Sequence, residues 1–167
     1  MKKKLQFILL LLIAGGCGLF LYRYCFPNHE KLIRQNLASL AEIASFPKRP
    51  TTTANLAAGD RLRNLLTADI TLEVDVPIEG RQTLAGRPEI IQAVLAARAN
   101  FNGLKVQFLD VTVLVDPAGQ TATAELTARA TQPGEREFFV QQLKFTLKNE
   151  DRHWRFSRIE TVRTLKL

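Results

Sequence analysis

Apolar residues recur at helical spacing from residue 32 to residue 43, as Leu32, Ile33, Leu37, Leu40 and Ile43, and this period predicts a first helix. Asn28 stands where a cap belongs, Glu30 lies in the first turn, where the helix dipole favours an acid, and Pro47 ends the run. Thr51 to Thr53 offer a second cap leading into Leu56-Ala57-Ala58. Gly59-Asp60 then reads as a joint: glycine stops one helix and aspartate caps the next, whose apolar side is Leu62, Leu65 and Leu66. The period changes to two at Ile70, Leu72, Val74 and Val76, which alternate with Thr71, Glu73, Asp75 and Pro77 and predict a strand with one buried face. Arg81 to Leu84 reads as a short returning strand. Pro88 suits the first position of another helix, with Glu89 in its first turn and Ile90, Ile91, Val94, Leu95 and Phe101 on its packed side.

Long alternating strands follow. Leu104, Val106 and Phe108 fall on even positions, whereas Leu109, Val111, Val113 and Val115 fall on odd ones. Side chains alternate strictly along a strand, so this switch requires an extra residue and predicts a bulge at Phe108-Leu109. Asp116-Pro117-Ala118-Gly119 is a turn. Ala122, Ala124, Leu126, Ala128 and Ala130 then alternate with polar residues, and Phe139, Leu143, Phe145 and Leu147 point inward on the next strand. Gln141 shares their phase, so it is a buried amide in need of a partner, explained equally by a pocket hydrogen bond or by a strand-end position. Asn149-Glu150-Asp151 turns the chain into a final strand, Arg152 to Arg163. Its phase changes between Trp154-Phe156 and Ile159, and Trp154 reads as core.

Upstream of all this, Lys2, Lys3 and Lys4 precede the apolar run Leu5 to Ile13, the pattern of an export signal, and apolar character resumes from Gly18 to Tyr22. Residues 5–22 are long enough to cross a thinned bilayer at about 1.5 Å per residue, with Tyr22 and Tyr24 at the interface and the lysines on the cytoplasmic side. Ala14-Gly15-Gly16-Cys17 also resembles a lipobox, which would make Cys17 a lipidation site; secretion after cleavage is the third alternative. Each places the remainder outside the cytoplasm, and an uncleaved anchor in a bacterial cytoplasmic membrane is the leading expectation. The chain thus divides into residues 1–27, anchor or signal, and residues 28–167, one folded domain.

The net charge of +7 is concentrated in that first segment. Lys2, Lys3, Lys4 and Arg23 lie in residues 1–27, which hold no acid, so residues 28–167 carry 19 basic against 16 acidic side chains. That balance gives no support to nucleic-acid binding. Both cysteines, Cys17 and Cys25, also fall in residues 1–27, so the folded part contains no disulfide or thiolate metal site.

Helices first, one strand, a Gly-Arg-Pro-Glu-Ile helix and then a curved antiparallel sheet: this order resembles the NTF2-like superfamily, including SnoaL-like and ketosteroid isomerase-like proteins. The matching stretches are Ala57-Ala58-Gly59-Asp60, Leu65-Leu66-Thr67-Ala68-Asp69-Ile70, Gly86-Arg87-Pro88-Glu89-Ile90 and Trp154-Arg155-Phe156-Ser157-Arg158-Ile159-Glu160, within residues 51–163. The resemblance implies an α+β, cone-shaped roll with helices closing the concave side of the sheet, often around a pocket. It also implies homodimerisation through the sheet. Isomerase-like members use an aspartate near the end of the first strand, for which Asp75 is the nearest equivalent, and a tyrosine on the first helix, which has no counterpart here. Asp75 shares parity with Thr71 and Glu73, opposite the apolar residues, so it is expected to face solvent. Dehydratase and cyclase relatives use a His–Asp pair, whereas His29 and His153 read as surface histidines.

Glu73 and Asp75, two apart on one strand face, suit a carboxylate pair or a weak cation site; the plainer reading is a solvated strand face. Arg155, Arg158, Arg163 and Lys166 make the last strand basic, with no aromatic platform between them. The sequence thus points to a membrane-tethered, non-catalytic module that binds a protein partner or a small apolar ligand, with Gln141 and Trp154 as ligand-facing candidates and no metal or cofactor. One membrane helix before such a domain also resembles the inner-membrane scaffold proteins of type IV secretion systems. The alternative is an enzyme acting on a hydrophobic small molecule, with Asp75 as base beside Gln141 and Trp154.

Overall fold

Local capping chemistry sets the helices. In the computed structural model, which describes residues 28–76, 80–134 and 138–164, the Asn28 side chain accepts from Lys31 N and opens helix α1, His29–Ala44. Thr51 does the same for helix α2, Thr52–Leu65, through Ala54 N. Helix α3, Arg87–Asn100, begins with Pro88 in its first turn, and the Glu89 carboxylate reaches back to the amide of Ala85. The apolar N-terminal segment and Cys17 lie outside the described residues, among which no helix is long and apolar enough to cross a membrane.

Gly59 does not break α2. It is buried within one continuous helix, where a Cβ would sit 3.8 Å from Ile91 Cγ2 and 3.9 Å from Leu95 Cδ1 on α3. These are ordinary contact distances, so the site would take a methyl group, and the glycine marks no helix end. Phe101 likewise departs from expectation: it caps the end of α3 and is half exposed, while the face of α3 that packs inward carries Ile90 and Arg98.

Six strands follow the helical pattern: β1 Leu66–Val76, β2 Gly80–Ala85, β3 Lys105–Val115, β4 Thr121–Thr131, β5 Phe138–Glu150 and β6 His153–Thr164. They form one sheet in the order β2-β1-β6-β5-β4-β3. The expectation of an antiparallel sheet needs one correction, since β1 and β6 run parallel while every other pair is antiparallel. A strand's own period reveals its faces, not its neighbours. Here α3 carries the chain from the β1–β2 hairpin to the far edge, and the β3–β6 meander then returns β6 beside β1.

Register shifts bend the sheet. Leu109 pairs with Thr127 and Thr112 with Glu125, so β3 holds an extra residue at Asp110-Val111, with Asp110 at φ 52°. The bulge therefore lies just past the predicted position, and Leu109 points outward and is exposed instead of packing inward. In β6 the predicted phase change occurs at Ser157, between the Phe156–Leu147 and Arg158–Thr146 pairs, and Val162 forms a second bulge.

The helices cover one face of this sheet. Ile33, Leu37 and Ile43 of α1, Leu62 of α2 and Ile90 of α3 pack on Leu66, Ile70, Ala124, Leu126, Leu147 and Phe156. Phe145 is the aromatic centre, 5.7 Å from the ring of Phe108 and 5.5 Å from that of Phe156. Burial is graded along the strands: Ala122, Ala124 and Leu126 are buried, whereas Ala128 and Ala130, in the same phase, are only partly so. Burial is tightest toward the β3–β4 hairpin and falls off toward the other end, called the open end below, where Ala130, Phe139 and Val74 are only partly buried.

Candidate functional site

At the open end, β1 outruns its partner. The last β1–β6 pair is Glu73 with Glu160, and the bulge at Val162 follows at once in β6. Two side chains take the place of the missing strand neighbour. The amide of Asp75 donates to Thr161 Oγ1 at 3.1 Å, and Gln141 Nε2 donates to the Asp75 carbonyl at 2.8 Å. Gln141 is 5% exposed, so this bond answers its need for a partner. The bond ties β5 to the end of β1.

The Asp75 carboxylate projects the other way. It lies 3.5 Å from Arg81 Nε on β2 and is 42% exposed. Glu73, on the same side, pairs with Arg158 Nη2 at 2.8 Å; Arg158 Nε also meets Glu160 at 3.0 Å, and Lys144 lies 3.8 Å from Glu160. Glu73 and Asp75 thus face separate arginines instead of sharing a cation, and no group of three or more His, Cys, Asp or Glu side chains suited to a metal occurs among the described residues. The basic character of β6 is largely neutralised: Arg155 pairs with Glu150 as Arg158 does with its two acids, and the side chain of Arg163 and all of Lys166 lie outside what is described.

Trp154 lies at the closed end. Asn149 pairs with Trp154, whereas Gln141 pairs with Thr164, so eight β5 residues, roughly 26 Å at a strand's rise, separate the two candidates. Trp154 is 3% exposed and its indole donates to His29 Nδ1 at 3.1 Å, with the rings edge to face. Because an indole only donates, this contact puts the imidazole proton on Nε2. A Cβ on Gly119 would come within 3.3 Å of that atom, and Asn36 Nδ2 donates to the Trp154 carbonyl at 2.7 Å. His29 is therefore partly buried against Trp154 rather than fully exposed; His153 is exposed, as expected.

One buried charge escaped the sequence reading. Arg98 is 5% exposed; its Nη1 donates to the Ile43 carbonyl at 2.7 Å, its Nε to Asn55 Oδ1 at 2.9 Å, and its guanidinium lies 5.1 Å from the centre of the Phe46 ring. No carboxylate among the described residues pairs with it, and burial pushes its pKa down. Its position in the last turn of α3, facing the last turn of α1, offsets the negative end of that helix and ties all three helices together. The spacing Ile91, Val94, Leu95, Arg98 was the available signal that this arginine faces inward.

Residues 35–160 match the family model described as a SnoaL-like domain. Among solved structures, an NTF2-like protein with a cystatin-like fold from Novosphingobium aromaticivorans is 21% identical, with a TM-score of 0.62 over 85% of this chain and 86% of that one. A domain of unknown function with a cystatin-like fold from Nostoc punctiforme is 19% identical, with a TM-score of 0.64 over 85% and 81%. A protein named as a candidate scytalone dehydratase, also from N. aromaticivorans, is 15% identical, with a TM-score of 0.59 over 82% and 84%. At these identities the likeness is one of fold. No curated protein matches the chain.

Proposed function

Starting from the premise that this chain belongs to the SnoaL-like domain family, we propose that it is a binding module, tethered to a membrane by residues 5–22 and facing away from the cytoplasm. The open end of its cone takes up a small apolar ligand or a protein segment, without chemistry. Copies of the module pair through the sheet. The observation that carries this reading is that Gln141, Thr161 and Asp75 at the open end are each already committed. Gln141 and Thr161 hold the backbone of Asp75, and the Asp75 carboxylate is turned outward onto Arg81. A general base must reach the proton that it removes. A carboxylate on the opposite side of the strand from the apolar interior does not. What remains toward the interior, Ala128, Ala130, Phe139, Leu72 and Leu84, is partly buried and apolar, the lining of a binding surface.

The tether is tested with the two native cysteines. In intact cells, a membrane-impermeant maleimide reaches Cys25, beyond the anchor, and not Cys17 within it, and the full chain stays with the membrane through alkaline carbonate washing. A chain released by that wash, or one whose first residue is a lipidated Cys17, overturns the uncleaved anchor.

A further inference from the structure

The bond between Trp154 and His29 survives in only one protonation state of the imidazole. An indole nitrogen donates and never accepts, so His29 Nδ1, 3.1 Å away, must offer a lone pair. A proton taken up at Nδ1 sets two donors against each other. The imidazole then has to turn away, and Trp154, only 3% exposed, keeps an N–H without an acceptor.

Nothing around the ring compensates a positive charge. His29 is the first residue of α1, at the positive end of the helix dipole. The β3–β4 turn closes on its other side, where a Cβ at Gly119 would come within 3.3 Å of Nε2. Among the described residues no carboxylate forms an ion pair with the imidazole. On α1 itself, Glu30 is engaged by Arg34, and Lys31 adds a like charge. On the β3–β4 turn, Asp116 Oδ1 accepts from the amides of Gln120 and Thr121. On β6, Arg155 is paired with Glu150, and His153 Nδ1 meets the carbonyl of Asp151, which with Arg152 makes the hairpin turn.

The opening that follows protonation is confined. Ile33 is fully buried, and Asn36 Nδ2 donates to the Trp154 carbonyl at 2.7 Å, so the second turn of α1 stays on β6. Only the first turn, His29 to Leu32, is free to lift.

We propose that His29 and Trp154 form a pH-operated latch, which fastens the first turn of α1 to β6 while the imidazole is neutral and releases it when the imidazole is protonated. Histidine changes charge between about pH 5 and pH 8, so the bond is present above that range and lost as pH falls through it. The first turn is where residues 1–27 join the domain, and acid therefore loosens that junction. The latch is independent of what the open end binds.

The test follows the single tryptophan of the full chain in detergent micelles, which add no indole emission. Acrylamide quenching and the indole nitrogen-15 resonance are recorded from about pH 7.5 to about pH 5 for the native chain, His29→Gln and His153→Gln. Glutamine accepts from the indole through Oε1 and does not titrate. On acidification the quenching constant is expected to rise at least about twofold in the native chain and in His153→Gln, and to stay constant in His29→Gln. His153→Gln leaves His29 as the one histidine, so its imidazole nitrogen signals report protonation of Nδ1 directly, and the indole resonance must move with them. This second comparison decides the matter even where His29→Gln does not fold. An indole that stays unchanged across the range overturns the proposal. So does one that moves equally in His29→Gln, or that moves apart from the His29 titration in His153→Gln.

Discussion

Gln141 Nε2 donates to the main-chain carbonyl of Asp75 at 2.8 Å, across 66 residues of sequence. The buried amide of β5 therefore holds the end of β1 in place, beyond the point where β6 has left it. Replacing Gln141 with leucine keeps the volume and strands the Asp75 carbonyl, which costs about 1–3 kcal/mol. Urea unfolding followed by circular dichroism measures it. An unchanged midpoint would show that water or another donor replaces the amide.

The His29–Trp154 bond closes the other end of the cone. Because Trp154 is the single tryptophan, its emission reports on this site alone. His29→Phe leaves the indole N–H buried without an acceptor and is expected to lose about 1–3 kcal/mol with a shifted emission maximum. His29→Gln, which restores an acceptor, loses less. Equal losses in the two variants would mean that packing, rather than the hydrogen bond, carries the contact.

Arg98 joins three helices with a fork of donors. Arg98→Met keeps the aliphatic stem and strands the Ile43 carbonyl and the Asn55 side chain, for an expected loss of about 2–4 kcal/mol. Arg98→Lys recovers only part, because an ammonium cannot match the fork. Thermal unfolding of the two variants checks the order.

The β5–β6 hairpin turns through Asp151 and Arg152, both at positive φ, 52° and 66°. A two-residue turn of that shape favours Asn-Gly. Asp151→Asn with Arg152→Gly relieves the strain and raises stability by about 1 kcal/mol, or about 2–4 °C in Tm. No gain would mean that the contacts made by the Arg152 side chain outweigh its backbone strain.

Glu42 and Arg61 clamp α1 to α2 through two hydrogen bonds, of 3.1 and 2.8 Å. The hydrogen bond from Arg61, and then its charge, lower the Glu42 pKa below its ordinary 4.5. A carboxyl depressed in the folded state contributes stability above its unfolded value and loses it as pH falls through the folded one. Glu42→Gln should thus differ most from the native chain near neutral pH and converge with it in acid. A constant gap in urea midpoint between pH 7 and pH 3 would contradict the pair.

Much of the sheet is legible in the sequence because burial on one face imposes a period of two on Ile70 to Val74, Val111 to Val115 and Ala122 to Ala130. Even the first β6 bulge, at Ser157, follows from the change of phase between Phe156 and Ile159. What is not legible depends on contacts remote in sequence. The parallel pairing of β1 with β6 joins residues more than 80 apart, and no local pattern records it. Leu109 reads as inward because it extends an apolar run, yet the bulge at Asp110 turns it out. Gly59 reads as a helix end because glycine usually is one, but α2 continues through it, buried against α3. Among the site candidates, Gln141 was found by its phase and its partner was not. Arg98 was passed over because a charged residue in a helix is ordinarily at the surface.

The most direct measurement sets turnover against retention. The full chain and its Asp75→Asn variant are incubated with small molecules extracted from the cells of origin, and mass spectrometry follows what is bound and what is consumed. A binding module retains the same apolar compounds in both forms and consumes none. A compound consumed by the native chain and spared by Asp75→Asn would contradict the account and make Asp75 a catalytic base.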